Sequence, residues 1–137
     1  MSVIYLDTSA AIKLFKTETE SEALERWLAQ QGSLTVLTSD LTRTELRRAL
    51  YACGAQPETL DEADGWLEDC ALIQLKTATF DRAGHFPYAA RLRSLDAIHC
   101  AAALSLGPAI TAFVAYDKRL TEAAQDLGLP VSSPGAP

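Results

Sequence analysis

The sequence contains no long hydrophobic run and no N-terminal leader pattern, and each absence excludes a class of protein. No apolar stretch approaches the ~20 residues that a membrane-spanning helix requires. The first residues, MSVIYLD, have neither the basic nor the hydrophobic segment of a signal peptide. We therefore expect a soluble, cytoplasmic protein that does not act at a membrane.

Cysteines are also scarce. The three that are present, Cys53, Cys70 and Cys100, are an odd number and include no CxxC pair. Their spacing matches no zinc signature. All three lie in apolar neighbourhoods, which predicts buried, free thiols in a reducing compartment.

Basic residues are outnumbered, since 12 Lys and Arg face 18 Asp and Glu for a net charge of −6. This balance argues against nucleic-acid binding through a simple basic surface. A phosphate-binding function would therefore need some of the acids to bind cations. The length fits one domain, which we assign to residues 1–133, with residues 134–137 as a flexible tail.

Short β-branched segments alternate with amphipathic helical segments along the chain. We predict strands at residues 3–6, 35–38, 71–75, 112–115 and 130–132. We predict helices at residues 7–15, 20–30, 41–53, 57–69, 95–106 and 118–127, and a short helix followed by a loop within residues 77–92. This alternation indicates an α/β sandwich around a mainly parallel sheet.

Three acids lie where a predicted element ends or begins. Asp7 ends the first strand, Asp117 follows the fourth strand, and Asp96 is at the head of the apolar helix. In open α/β sheets the carboxyl ends of the strands face a common crevice. Asp7 and Asp117 would face each other there if the first and fourth strands are neighbours.

A fourth acid, Glu45, lies inside a predicted helix. Ala49 and Ala52, four and seven residues later, are small and apolar, so Glu45 is expected on or beside an inward face. Asp96 similarly shares a helix face with His99. A carboxylate on a packing face is costly unless a cation or hydrogen-bond donors satisfy it.

Each acid taken alone also has an ordinary explanation. Asp7, Asp96 and Asp117 could be helix N-caps, and Glu45 could reach into solvent. Together, however, like charges ~4 Å apart would cost about 4 kcal/mol per pair at an effective dielectric constant of about 20. Either some of the acids are protonated or cations lie among them, and an oxygen-only ligand set suits Mg²⁺ or Mn²⁺.

Four sequence blocks carry a family resemblance. They are Ile4-Tyr5-Leu6-Asp7-Thr8-Ser9-Ala10, Thr44-Glu45-Leu46, Leu92-Arg93-Ser94-Leu95-Asp96-Ala97-Ile98-His99 and Phe113-Val114-Ala115-Tyr116-Asp117-Lys118-Arg119-Leu120. The sequence resembles the PIN domain and, more narrowly, the VapC toxins of bacterial toxin–antitoxin pairs. The likeness covers nearly the whole chain. It implies a three-layer sandwich with a five-stranded parallel sheet in the order 3-2-1-4-5 and helices on both faces.

The resemblance also implies a metal-dependent endoribonuclease that leaves 5′-phosphate and 3′-hydroxyl ends. Asp7, Glu45, Asp96 and Asp117 would be the catalytic acids and would bind one or two Mg²⁺ or Mn²⁺ ions. Ser9 matches a supporting polar position of the family. Residues expected to hold the RNA are Arg91, Arg93, Lys118 and Arg119.

His99, one turn from Asp96, could support the site by donating to a carboxylate, or it could be a buried structural residue. The resemblance further implies a homodimer and a cognate VapB-like antitoxin. One departure is Ala115, because many relatives have Thr or Ser there. It leaves open a catalytically weak PIN-fold module that only binds RNA or a partner protein.

Two other classes fit less well. A haloacid-dehalogenase-like phosphatase needs a second Asp where Ser9 stands. A receiver domain needs an acidic pair at the end of the first strand, but Leu6 precedes Asp7.

Overall fold

The computed structural model describes residues 1–88 and 91–137, and a parallel sheet forms its centre. The strands are β1 (Ser2–Leu6), β2 (Leu34–Ser39), β3 (Ala71–Ile73), β4 (Ala112–Val114) and β5 (Val131–Ser132). The helices are α1 (Thr8–Ala11), α2 (Ser21–Ala29), α3 (Asp40–Ala52), α4 (Pro57–Asp69), α5 (Thr77–Gly84), α6 (Ser94–Leu104) and α7 (Lys118–Asp126), with 3₁₀ turns at Ile12–Leu14 and Gly107–Ala109. The strand order is β3-β2-β1-β4-β5, which confirms the expected topology.

Strand β1 is central because its side chains are apolar on both faces of the sheet. Ile4, Tyr5 and Leu6 are fully buried. β1 pairs in parallel with β2 on one side and with β4 on the other, where Leu6 lies opposite Val114. The ends of β1 and β4 are therefore neighbours, and the acids that follow them, Asp7 and Asp117, lie at the same edge of the sheet.

Helices cover both faces of the sheet, as expected for a three-layer sandwich. Tyr5 and Phe113 pack with Cys100 of α6 on one face. Ile4 and Leu6 pack with Leu24 of α2 on the other face, where α3 and α4 continue the apolar layer. In the described part of the chain, no helix has the length and apolarity needed to cross a bilayer.

The element bounds largely match the prediction, and α4 begins and ends where Pro57 and Asp69 were expected to set its limits. β3 is shorter than predicted, ending at Ile73. Its partner β2 turns into α3 after Ser39, which lies opposite Ile73, so no strand remains for further pairing. The helix predicted within residues 77–92 is α5, and residues 89 and 90 of the predicted loop lie outside the described residues.

Three burial predictions were wrong. Cys100 is buried as predicted, but Cys70 is partly exposed and Cys53 is exposed. Cys53 follows the last turn of α3, beyond the buried stripe of that helix. Ala52 is also exposed, since the inward face of α3 is formed by Thr42, Leu46 and Leu50.

The residues after β5 lie against the body of the protein. The Ser133 hydroxyl donates to the Ala115 carbonyl oxygen at 2.6 Å. The Tyr116 hydroxyl donates to the Pro134 carbonyl oxygen at 2.8 Å. Flexibility of residues 134–137 stays a prediction, and motion of this segment would have to break the second of these bonds.

Candidate active site

All four predicted acids line one small pocket at the carboxyl edge of β1 and β4. Its volume is about 150 Å³. The residues that line it are Asp7, Thr8, Ser9, Glu45, Arg93, Asp96, His99, Asp117 and Leu120. The acids come from four separate parts of the chain, so the fold has gathered them. Their place at the edge where parallel strands end is the usual place for a site in such a sheet.

Asp7 is the most buried of the four acids, with 3% of its surface exposed. It is the N-cap of α1, where one carboxylate oxygen accepts from the Ala10 amide at 2.9 Å. The Ser9 hydroxyl lies 2.8 and 2.9 Å from the two carboxylate oxygens and donates to them. Burial nevertheless raises the pKa of Asp7 to about 6, because removal from water outweighs these donors.

Glu45 projects from α3 beside the buried face, as the sequence predicted. Its Oε1 atom accepts from the Thr8 hydroxyl at 2.7 Å and lies 2.7 Å from Nε2 of His99. Burial raises the pKa of Glu45, but the hydrogen bonds from His99 and Thr8 outweigh it and the net shift is downward. The carboxylate is therefore held in its charged form by two neighbours of fixed position.

Asp96 and Asp117 complete the pocket from α6 and α7. Asp96, whose side chain is 17% exposed, accepts from Nε of Arg93 at 3.0 Å. Asp117 is exposed, and its Oδ1 accepts from the Leu120 amide at 2.9 Å as the N-cap of α7. N-capping is thus observed for Asp7 and Asp117, but not for Asp96, which lies in the first turn of α6.

The chemistry of the lining fits a hard divalent cation, because the available donors are mainly carboxylate and hydroxyl oxygens. The one imidazole, His99, has Nε2 turned to Glu45. As the side chains lie, no three His, Cys, Asp or Glu residues within 1–88 and 91–137 are close enough to hold a metal ion together. An ion would have to draw the carboxylates closer, so the metal-ligand roles of the four acids stay predictions.

The two supporting residues lie in contact with the acids. Ser9 binds Asp7, and His99, 2% exposed, binds Glu45. His99 is therefore both buried and hydrogen-bonded to a carboxylate, which combines the two alternatives considered for it.

The four candidate RNA-binding residues differ in position. Arg93 lines the acidic pocket itself. Arg91 and Arg119 line an adjoining pocket of about 650 Å³, which also includes Arg93. Lys118 is exposed at the start of α7 and lines neither pocket. Geometry thus favours the three arginines over Lys118 as groups that could contact a phosphate chain entering the acidic pocket.

Sequence reasoning missed two residues that hold the acids. Thr8 donates to Glu45, and Tyr5 lies with its hydroxyl 2.7 Å from Nδ1 of His99. Tyr5 could have been identified from the sequence, since a hydroxyl on a strand that is predicted to be fully buried needs a hydrogen-bond partner. Thr8 could have been identified too, because it stands between Asp7 and Ser9, which were already assigned to the site.

The departure at Ala115 has a clear structural setting. The Ala115 side chain is fully buried in the layer that contains Tyr5 and Phe113. Its carbonyl oxygen accepts from Ser133, so a hydroxyl from the last part of the chain binds the backbone two residues before Asp117.

Comparison with known proteins identifies the family. The PIN domain family matches residues 4–126. Ribonuclease VapC35 of Mycobacterium tuberculosis is 43% identical over 135 residues, which covers 97% of this chain and 98% of that protein.

Two solved structures share the fold. M. tuberculosis VapC20, a toxin that cleaves the sarcin–ricin loop, has a TM-score of 0.75 at 17% identity and covers 96% of this chain and 99% of its own. VapBC2 of Rickettsia felis, bound to a DNA fragment from its promoter, has a TM-score of 0.70 at 12% identity and covers 96% and 98%. On the family match and the 43% identity, this chain belongs to the PIN-domain family and, within it, to the VapC ribonucleases.

Proposed function

We propose that this protein is a Mg²⁺- or Mn²⁺-dependent endoribonuclease and the toxin of a toxin–antitoxin pair. The observation that carries the proposal is the single pocket in which Asp7, Glu45, Asp96 and Asp117 meet at the carboxyl edge of the sheet. The 43% identity to Ribonuclease VapC35 supports the reaction class.

The four acids would hold one or two divalent ions. A bound ion lowers the pKa of water and neutralises charge that develops on a phosphodiester. Glu45 would offer a carboxylate already oriented by Thr8 and His99. Asp7, whose charge is costly in its buried setting, would gain most from a cation.

Arg93 would connect the acidic pocket to the RNA. It is 69% exposed, pairs with Asp96, and borders both pockets. A phosphodiester placed against the acids would lie within reach of its guanidinium, which suits bidentate phosphate binding. Arg91 and Arg119 would hold the flanking phosphates in the adjoining pocket. The local basic groups would thereby offset the net charge of −6.

Hydrolysis by water, without participation of the ribose 2′-hydroxyl, would leave 5′-phosphate and 3′-hydroxyl ends. We further propose that the protein acts in the cytoplasm as a homodimer and is neutralised by a VapB-like antitoxin. The solved VapBC2 assembly of R. felis, which shares the fold, supports such a partner.

The first experiment is to incubate the purified protein with total bacterial RNA and Mn²⁺ and to map new 5′ ends, with Asp7→Asn as the control. We expect discrete cleavages with 5′-phosphate ends that are lost with EDTA and in the variant. Products with 2′,3′-cyclic phosphate would contradict the water-based reaction. Identical maps for both proteins, with equal Mn²⁺ binding, would contradict the nuclease and favour a binding module.

A further inference from the structure

A buried line of side-chain hydrogen bonds connects strand β1 to the acidic pocket. The Tyr5 hydroxyl lies 2.7 Å from Nδ1 of His99, and Nε2 of the same ring lies 2.7 Å from Oε1 of Glu45. Tyr5 and His99 are 0% and 2% exposed. The three residues come from β1, α6 and α3, so this contact joins three elements around one carboxylate.

Both rings in this line are fixed by packing. Tyr5 stacks on Phe113 with ring centres 5.4 Å apart and planes 8° from parallel. The His99 ring meets Tyr5 edge-on, with centres 5.9 Å apart and planes at 75°. Neither ring can turn without disturbing the core, so Nδ1 of His99 stays beside Tyr5, and Nε2 stays beside Glu45 and, at 3.3 Å, the Thr8 hydroxyl.

The direction of the bonds follows from the chemistry of the two ends. An ionised carboxylate can only accept, so Nε2 must carry a hydrogen in order to bond to Glu45. Burial strongly raises the pKa of Tyr5, which therefore keeps its proton and can donate. With Tyr5 as the donor, Nδ1 is the acceptor and the hydrogen of the ring stands on Nε2, so that both short contacts are hydrogen bonds.

We propose that Tyr5 is a positioning residue for the acidic pocket: its hydroxyl holds His99 in the Nε2–H tautomer, and that tautomer orients Glu45. The part played by Glu45 in ion binding rests on the proposed function, whereas the tautomer of His99 does not. In the opposite tautomer the Nε2 lone pair would face the carboxylate, and Glu45 would lose this donor while the Thr8 hydroxyl still held it.

Thr8 limits how much the loss of the Tyr5 hydroxyl can disturb Glu45. Its hydroxyl donates to the same Oε1 of Glu45 and also lies 3.3 Å from Nε2 of His99 and from the Thr42 hydroxyl. Loss of Tyr5 would therefore loosen Glu45 without releasing it. Partners that orient metal ligands typically change metal affinity by about 10- to 100-fold, and we expect the lower end, about 10-fold.

The direct test is ¹⁵N NMR of the imidazole nitrogens in the metal-free protein at neutral pH. The chain has two histidines, His85 and His99, so His85→Gln assigns the signals. We expect His99 to carry its hydrogen on Nε2 and to accept a hydrogen bond at Nδ1. Hydrogen on Nδ1, alone or on both nitrogens, would overturn the proposal whether or not the protein is a nuclease.

The variant Tyr5→Phe removes only the hydroxyl and should give His99 a mixture of tautomers. Tyr51→Phe is the matched control, because Tyr51 is 76% exposed on α3 and should leave the His99 signals unchanged. Signals identical to wild type in Tyr5→Phe would overturn the assignment of Tyr5.

Mn²⁺ titration calorimetry then tests the link to Glu45. His99→Gln keeps a donor near the Nε2 position and has no tautomer to fix, so we expect near-wild-type affinity, whereas His99→Leu should lose about 10-fold. Adding Tyr5→Phe to His99→Gln should cost nothing further. A second 10-fold loss in the double variant would show that Tyr5 acts by another route.

Discussion

Two aspartates of the pocket have the same local role in very different surroundings. Asp7 and Asp117 end neighbouring strands, and each caps the helix that follows. Asp7 is 3% exposed, and burial raises its pKa to about 6, whereas Asp117 is exposed. Helix capping is a sufficient structural reason for an exposed aspartate such as Asp117, but it does not explain why Asp7 keeps a charge in a buried position. A residue that lowers stability is commonly retained because function requires it.

The largest expected effect is on RNA cleavage, where the two aspartates should behave alike. Asp7→Asn and Asp117→Asn each keep a good cap but remove a proposed ligand. Ion-based stabilisation of several kcal/mol, at 1.36 kcal/mol per tenfold, predicts at least about a 100-fold loss of cleavage rate for each. The measurement is single-turnover cleavage with Mn²⁺. Full activity in Asp117→Asn would remove Asp117 from the site and leave it a cap only.

The second largest effect is expected on stability, where Asp7 and Asp117 should differ. The folded state binds a proton at Asp7 more tightly than the unfolded chain, where the pKa is near 3.8. The free energy of unfolding should therefore fall as the pH rises from about 4 to about 6, by at most about 3 kcal/mol, and stay low above that range. Asp7→Asn should remove this loss. Urea unfolding in EDTA across this pH range measures it.

Asp117→Asn is the control for that experiment, since an exposed aspartate carries no comparable burial cost. If the free energy of unfolding depends on pH in the same way in both variants as in wild type, then burial of the Asp7 charge does not lower the stability of the protein. If Asp7→Asn is the more stable protein at about pH 7 and is also inactive, the buried charge is kept for catalysis at the expense of stability.

The third effect concerns the cap itself. Asp117→Ala removes the acceptor for the Leu120 amide, and loss of such a cap costs about 1 kcal/mol, whereas Asp117→Asn should cost little. The two unfolding free energies at one pH are the measurement. Equal stability of the Ala and Asn variants would show that the capping bond contributes nothing.

The smallest effect is expected at Arg93, on the open rim of the pocket. Arg93→Ala should raise KM for RNA several-fold. It should also make the slope of log affinity against log salt concentration shallower, by the amount expected for the loss of about one phosphate contact. It should change stability by no more than about 1 kcal/mol, since exposed ion pairs contribute little. Arg26→Ala on α2 breaks the exposed pair with Glu22 and is the matched control. A KM raised equally in both variants would argue against a specific role for Arg93.

The sequence predicted the meeting of Asp7 and Asp117 because strand order alone decides it. Once β1 and β4 are neighbours, acids that follow them must lie together. The position of Glu45 was predicted on partly wrong grounds, since Ala52 is exposed. Glu45 lies near the pocket because Thr42, Leu46 and Leu50 turn α3 inward beside it.

The contacts among side chains could not be predicted in the same way. His99 and Glu45 are 54 positions apart, and Tyr5 and His99 are 94 apart. Helix periodicity shows which face of α6 or α3 points inward, but not which residue of another element it meets. That depends on how the helices are placed on the sheet, which the pattern of a single element does not contain.

The pairing of β1 with β4 also has a consequence for the order of folding. Val3 bonds to Thr111 across 108 positions of sequence, so the contact closes a loop that includes most of the chain. Contacts of such long range form late, because the entropy of loop closure must be overcome before they stabilise anything. During synthesis, Asp7 is made early, but it has no neighbouring β4 until more than 100 further residues have been added. The acidic pocket is therefore absent from a growing chain until nearly all of the domain has been made.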